Sequence, residues 1–168
     1  LDGVLLFSCG TSAPCGLWRS DGSEAGTFRI ADLGAADELV AANGTAYFRA
    51  SDAAHGAELW KSDGTAAGTV LVRDILEGPA DSSPRNLVPF AGAVYFRSGA
   101  DGATWKSDGT ESGTVLVHAF PGDGPLVPAA GRLFSFDGPR LWASDGTAPG
   151  TLLLRDFGTS IQVYTSVP

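Results

Sequence analysis

The chain has no methionine, only two cysteines and only two histidines in 168 residues, and each shortage removes a class of function. With His55 and His118 alone and no Gly-x-Ser-x-Gly elbow, a Ser-His-Asp type of hydrolase is poorly supported. No phosphate-cradling loop, zinc motif or dinucleotide fingerprint occurs. Basic residues are scarce too. Eleven Lys and Arg against 19 Asp and Glu give a formal charge of −8, which repels phosphate backbones and anionic lipid, so nucleic acid is not an expected partner. No apolar run approaches bilayer-spanning length, and no n-region followed by an h-region stands at the start. Membrane insertion is therefore not expected. The lack of methionine, with Leu1 as first residue, fits a processed product, such as one whose signal peptide has been removed, or an excerpt of a longer protein.

Cys9 and Cys15 flank Gly-Thr-Ser-Ala-Pro. A disulfide closing that loop is expected, and it implies an oxidising compartment, hence a secreted or cell-surface location. The alternatives are a metal or redox pair, for which C-x5-C with no adjacent histidine has the wrong spacing, and two free thiols.

What the chain has in quantity is glycine, 23 residues, with ten prolines and 43% hydrophobic residues. Glycine and proline spread along a chain of this hydrophobicity indicate many short strands joined by tight turns, an all-β domain with a sizeable core. The organising stretch is residues 59–69, Leu-Trp-Lys-Ser-Asp-Gly-Thr-Ala-Ala-Gly-Thr, with variants at 17–27, 104–114 and 141–151. Their tryptophans, Trp18, Trp60, Trp105 and Trp142, lie 42, 45 and 37 residues apart. Self-similarity at about that period predicts a repeat architecture.

Each repeat reads as four short strands. The second copy gives 38–42, 45–50, 57–62 and 69–75, the third 86–90, 93–98, 104–107 and 114–120, and the fourth 125–129, 132–136, 140–144 and 151–157. Asn43-Gly44 is a strong hairpin signal, and Gly92 and Gly131 fall at the same turn. Runs such as Val70-Leu71-Val72 and Leu152-Leu153-Leu154 are expected to be covered on both faces by neighbouring sheets. The first copy opens on the strand 4–8, while residues 160–168 form an extra strand. Placed before Leu1, that strand aligns with the innermost strands of the other copies. The expected architecture is a monomeric four-bladed β-propeller with four antiparallel strands per blade, its C-terminal strand closing the first blade and hiding both edges. The repeats are 1–34 plus 160–168, 35–78, 79–122 and 123–159. Two chains sharing a larger ring, or an excerpt of a longer array, are the alternatives.

The repeat resembles the ELWxxDGT repeat of bacterial secreted and surface proteins. Residues 58–65, Glu-Leu-Trp-Lys-Ser-Asp-Gly-Thr, match every fixed position, whereas the other copies carry Gly16, Ala103 with Thr104, and Arg140 in place of Glu or Glu-Leu, and Ser23 in place of Thr. The resemblance implies a propeller and no single activity. More loosely, the Ser-Asp-Gly turn looks like the Asp-box of sialidase-type propellers.

The repeated residues are read as structural. Asp21, Asp63, Asp108 and Asp145 each precede a glycine and are expected to accept N–H bonds from their own turn. Weak calcium binding is the alternative, limited by one or two carboxylates per copy, and no cofactor is expected. The tryptophans are expected to fill the wedges between blades. Arg73-Asp74 and Arg155-Asp156 read as salt bridges at a solvated edge.

Function is expected where the copies differ, in the loops between second and third strands and between blades. Candidate ligand-binding residues there are Asp37, Asp52, His55, Arg85, Asp101, Asp123, Asp137 and Arg140, among further carboxylates at Asp32, Glu38, Glu77 and Asp81. This acidic face suits a cation, a cationic ligand or a sugar held by carboxylates and an arginine. The reading is a secreted or surface binding module for carbohydrate or a surface protein. Alternatives are a glycoside-active hydrolase or lyase using paired carboxylates among Asp37, Asp52, Asp101 and Asp137, and a structural spacer of a large adhesin.

Overall fold

The computed structural model describes residues 1, 3–8, 16–34, 36–117, 120–159 and 161. Cys9, Cys15 and the disulfide expected between them lie outside the described residues, as do His118 and nearly all of the expected closing strand.

The described residues form four antiparallel sheets, each a meander in chain order. Sheet one has β1 (Leu5–Ser8), β2 (Leu17–Ser20) and β3 (Phe28–Ala31). Sheet two has β4 (Asp37–Ala42), β5 (Thr45–Asp52), β6 (Gly56–Ser62) and β7 (Val70–Arg73). Sheet three has β8 (Arg85–Phe90), β9 (Ala93–Ser98), β10 (Ala103–Ser107) and β11 (Val115–Leu116), and sheet four β12 (Val127–Ala129), β13 (Arg132–Asp137), β14 (Arg140–Ser144) and β15 (Leu152–Asp156). The fold is all-β, and its strands follow the spacing of the repeat. One departure is β11, two residues where the sequence suggests seven.

The inner hairpins share one turn. Asn43 and Gly44 have φ of 51° and 76°, Ala91 and Gly92 49° and 79°, and Ala130 and Gly131 48° and 70°. A two-residue loop with both φ positive matches the twist of its strands, and glycine at the second place adopts it without a Cβ clash.

Register aims each tryptophan the same way. Trp18 faces Phe7, Trp60 faces Phe48, Trp105 faces Phe96 and Trp142 faces Ser135. A bulge between third and fourth strands lies beside Trp18, Trp60 and Trp142, re-aiming the side chain at that point. Trp60 packs with Leu6, Leu17 and Ile30 of sheet one, Trp105 against Tyr47, Leu59 and Val72 of sheet two, and Trp142 against Tyr95 of sheet three. Each of these tryptophans therefore fills the wedge towards the preceding sheet, and the core is three inter-sheet clusters instead of one central mass. Sheets one and four share no cluster among the described residues. Contrary to the sequence expectation, Leu152, Leu153 and Leu154 are 56%, 46% and 53% exposed and Val70 39%; Leu152 and Leu154 share one face of β15, and among the described residues no following sheet packs on that face.

Polar bonds repeat along the seams. Arg19 Nη1 donates to the carbonyl of Gly64 at 3.2 Å, Lys61 Nζ to that of Gly109 at 2.7 Å and the Tyr95 hydroxyl to that of Gly146 at 3.3 Å. In each case a sheet grips the Asp-Gly turn of the next.

Candidate functional site

Each repeated aspartate bonds within its own turn. Asp63 Oδ1 accepts from the Thr65 N–H at 2.8 Å and the Thr65 hydroxyl at 2.7 Å, and Asp21, Asp108 and Asp145 do the same with Ser23, Thr110 and Thr147. These hydroxyl and N–H bonds hold all four carboxyls below the ordinary aspartate range. The second glycine of the motif has a separate cause. A Cβ on Gly26, Gly68, Gly113 or Gly150 would run into the carboxylate of Asp21, Asp63, Asp108 or Asp145, so only glycine leaves that carboxylate its place. Among the described residues no three His, Cys, Asp or Glu side chains come together to hold a metal ion.

The variable loops bring some of the candidate residues together and tie most of them into local structure. Asp37 opens β4 and binds Arg49 in a two-pronged pair at 2.7 and 2.5 Å, which raises the Arg49 pKa. Asp52 caps the hairpin before β6, accepting from the N–H groups of Ala54 and His55, and His55 Nδ1 lies 2.9 Å from both its carboxylate oxygens. That contact raises the His55 pKa. Arg140 lies 3.6 Å from Asp137 and 3.1 Å from Asp156. Arg85 Nη1 donates to the carbonyl of Gly99 at 3.1 Å, and Asp123 and Arg85 both border Gly102. Asp101 accepts from the Ala103 N–H at 3.2 Å. Glu38 reaches sheet three, accepting from the Asn86 N–H at 2.8 Å, and Asp81 accepts from Ala57 N–H at 2.7 Å. Of the strand-end residues read as salt bridges, Asp156 does pair with Arg140 at an exposed edge, whereas Arg73 donates to the carbonyl of Thr114 and Asp74 accepts from the Gly78 N–H.

Two buried charged groups escaped the loop-based reasoning. Arg97 is fully buried and occupies the place in β9 that Arg49 has in β5, opposite Arg85 where Arg49 has Asp37. Lacking that carboxylate partner, it donates to the carbonyls of Gly102 and Gly124 and to the hydroxyls of Thr104 and Ser135. Burial lowers its pKa to about 10. Glu58, also fully buried, accepts from the Ser82 hydroxyl at 2.6 Å and from the N–H groups of Ile75 and Leu76 at 3.2 Å each. Burial raises its carboxyl pKa. The sequence signal for Glu58 was present, since copy two alone has glutamate there.

Glu58 stands behind one wall of a cleft of about 220 Å³ between sheets two and three. Ile75, Leu76, Trp105 and Leu116 give the cleft a mostly apolar lining, with Asp101 as its single carboxylate and Ser82 and Ser98 beside it. Both serine hydroxyls are already donating, Ser82 to Glu58 and Ser98 to the carbonyl of Ser82 at 2.9 Å. Asp101 is the one candidate residue from the sequence that lines this cleft. Its apolar lining was illegible because Leu76 follows the fourth strand and Leu116 belongs to it, places that sequence pattern assigns to packing. The chain matches no family model, and no curated protein matches it.

Proposed function

We propose that the chain is a binding module of a secreted or cell-surface protein, built from propeller blades of the ELWxxDGT type and recognising carbohydrate or a surface protein on its loop face. The observation that carries this reading is the inter-sheet cleft, apolar and lined by one carboxylate. A concave apolar site with few polar groups is suited to holding a ligand. Glycoside hydrolysis needs two carboxyl groups across one site, and Asp37, Asp52 and Asp137 are engaged with Arg49, His55 and Arg140 respectively.

The four sheets are read as a ring whose fourth blade meets its first, with residues 160–168 supplying the missing strand of blade one. Support comes from equivalence between repeats. Leu154 corresponds to Val72, which is 5% exposed against sheet three, and Leu5 corresponds to Ala46, fully buried against sheet one. Leu154 and Leu5 are 53% and 62% exposed, so the two uncovered faces are those that closure would join.

The test is an array of glycans and bacterial surface proteins probed with the labelled domain, once with calcium and once with chelator. Selective retention is expected. A blank on every arm would refute the binding role. Closure is tested by small-angle scattering: a compact ring is expected, and an open arc would refute it.

A further inference from the structure

We propose that the cleft between sheets two and three is a socket for one cationic side chain with an apolar stem, of the lysine type, presented by a protein partner. The inference rests on the binding-module reading and names the chemistry of its ligand. Size is the first argument. At about 220 Å³ the cleft falls below the roughly 300–1,000 Å³ of small-molecule sites, so it takes one side chain and not an oligosaccharide.

Polarity is the second. A sugar ring presents hydroxyls all round and needs several donors and acceptors. Here the O–H donors of Ser82 and Ser98 are committed inside the protein, leaving no free hydroxyl donor for a sugar and Asp101 as the charged group lining the cleft. Ile75, Leu76, Trp105 and Leu116 suit a methylene stem, and the exposed Asp101 carboxylate in the same lining suits an ammonium group.

Charge complementarity is the third. No lysine or arginine lines the cleft. The guanidinium groups of Arg73 and Arg85 are bonded to the carbonyls of Thr114 and Gly99, and Arg73 lies 5.9 Å from the Trp105 ring. With Arg73 beside that ring, the incoming cation pairs with Asp101 instead of stacking on the indole. Asp101 is thus the carboxylate that carries the complementarity. The wall is fixed before any ligand arrives, because the backbone N–H groups of Ile75 and Leu76 both bond to buried Glu58, and a preformed socket costs less ordering on binding.

The test is titration of the isotope-labelled domain with Nα-acetyl-lysine methylamide, followed by amide and indole resonances. Saturable shifts are expected at Leu76, Asp101, Leu116 and the Trp105 indole N–H. Nα-acetyl-norleucine methylamide, which has the stem without the ammonium, is expected to bind about two- to fivefold more weakly, as for an exposed charge pair. Asp101→Asn, which keeps an acceptor for the Ala103 N–H, should erase that difference, and so should high salt. Equal binding of both probes, shifts confined to other surfaces, or no shifts at all would each overturn the cation assignment. So would methyl α-glucoside in the cleft, although it would leave the binding role standing; that role falls only on a blank array.

Discussion

Replacing Arg97 by methionine keeps the stem and removes a guanidinium that is fully buried. The group makes five bonds: Nε and Nη2 to the Gly124 carbonyl at 3.1 and 3.0 Å, Nη1 to the Gly102 carbonyl at 3.1 Å and the Thr104 hydroxyl at 2.8 Å, and Nη2 to the Ser135 hydroxyl at 2.7 Å. Bonds to charged groups contribute about 1.5–3 kcal/mol each, and five added naively would match a whole domain's stability of about 5–15 kcal/mol. That sum is too large, because burial lowers the Arg97 pKa to about 10. The site disfavours the cation relative to water, so the bonds offset only part of its desolvation. What decides the cost is the buried acceptors that lose a donor, the Gly102 carbonyl and the Thr104 and Ser135 hydroxyls, while the Gly124 carbonyl keeps the Ser135 hydroxyl. At about 1–3 kcal/mol for each acceptor left unsatisfied, the expected loss for Arg97→Met is about 3–5 kcal/mol. Arg49→Met is the control, since Arg49 holds the same repeat position in a part-exposed pair with Asp37, and about 1 kcal/mol or less is expected. Urea denaturation at neutral pH, read as the midpoint at constant m-value, measures both. A loss below about 1 kcal/mol for Arg97→Met, or a gain, would show that the guanidinium is tolerated and does not fasten sheet three to sheet four.

Three further outcomes are expected. Trp60→Ala should cost about 3–5 kcal/mol through the cavity left between sheets one and two, where Trp60 is 8% exposed; an unchanged urea midpoint would contradict this packing. Gly68→Ala, which sets a methyl against the Asp63 carboxylate, should cost about 1–3 kcal/mol, and resonances of residues 63–68 should shift together; if they stay put, the carboxylate is not what requires glycine there. The Asp52 contact raises the folded pKa of His55 above 6.5, so its contribution to stability is complete below pH 6.5 and is lost as pH rises through the folded value. Titration of the imidazole resonances should give a lower pKa in Asp52→Asn, and an unaltered value would remove Asp52 as the cause.

The fold was legible because the repeat states the same facts four times. Asn43-Gly44 marks an inner hairpin directly, and alignment carries the mark to Ala91-Gly92 and Ala130-Gly131, where alanine takes positive φ and no local signal suffices. Strand periodicity survives in short segments because each tryptophan and its partner across the hairpin fix the register. The exposure of Leu152, Leu153 and Leu154 was not legible in the same way: a run apolar on both faces says that a sheet can be covered, and only the neighbouring sheet decides whether it is.

The candidate site was less legible, for a related reason. Loop carboxylates draw attention by charge, yet a carboxylate within reach of an unpaired N–H or a basic side chain is captured by it, as Asp37 is by Arg49 and Asp52 by His55. The cleft arises instead from one substitution between copies. Glycine, alanine and arginine stand at positions 16, 103 and 140, and glutamate at 58. A buried carboxyl must find donors, and Glu58 finds them in the N–H groups that follow β7 and in the Ser82 hydroxyl of the connector to sheet three. Fastening those two segments holds Ile75, Leu76 and Ser82 along one wall while Asp101, Trp105 and Leu116 of sheet three line the cleft with them. The seam behind the copy that matches the repeat most completely is therefore the one that carries the cleft. A single residue that stands in one copy of a repeat and not in the others can give that sheet a chemistry of its own.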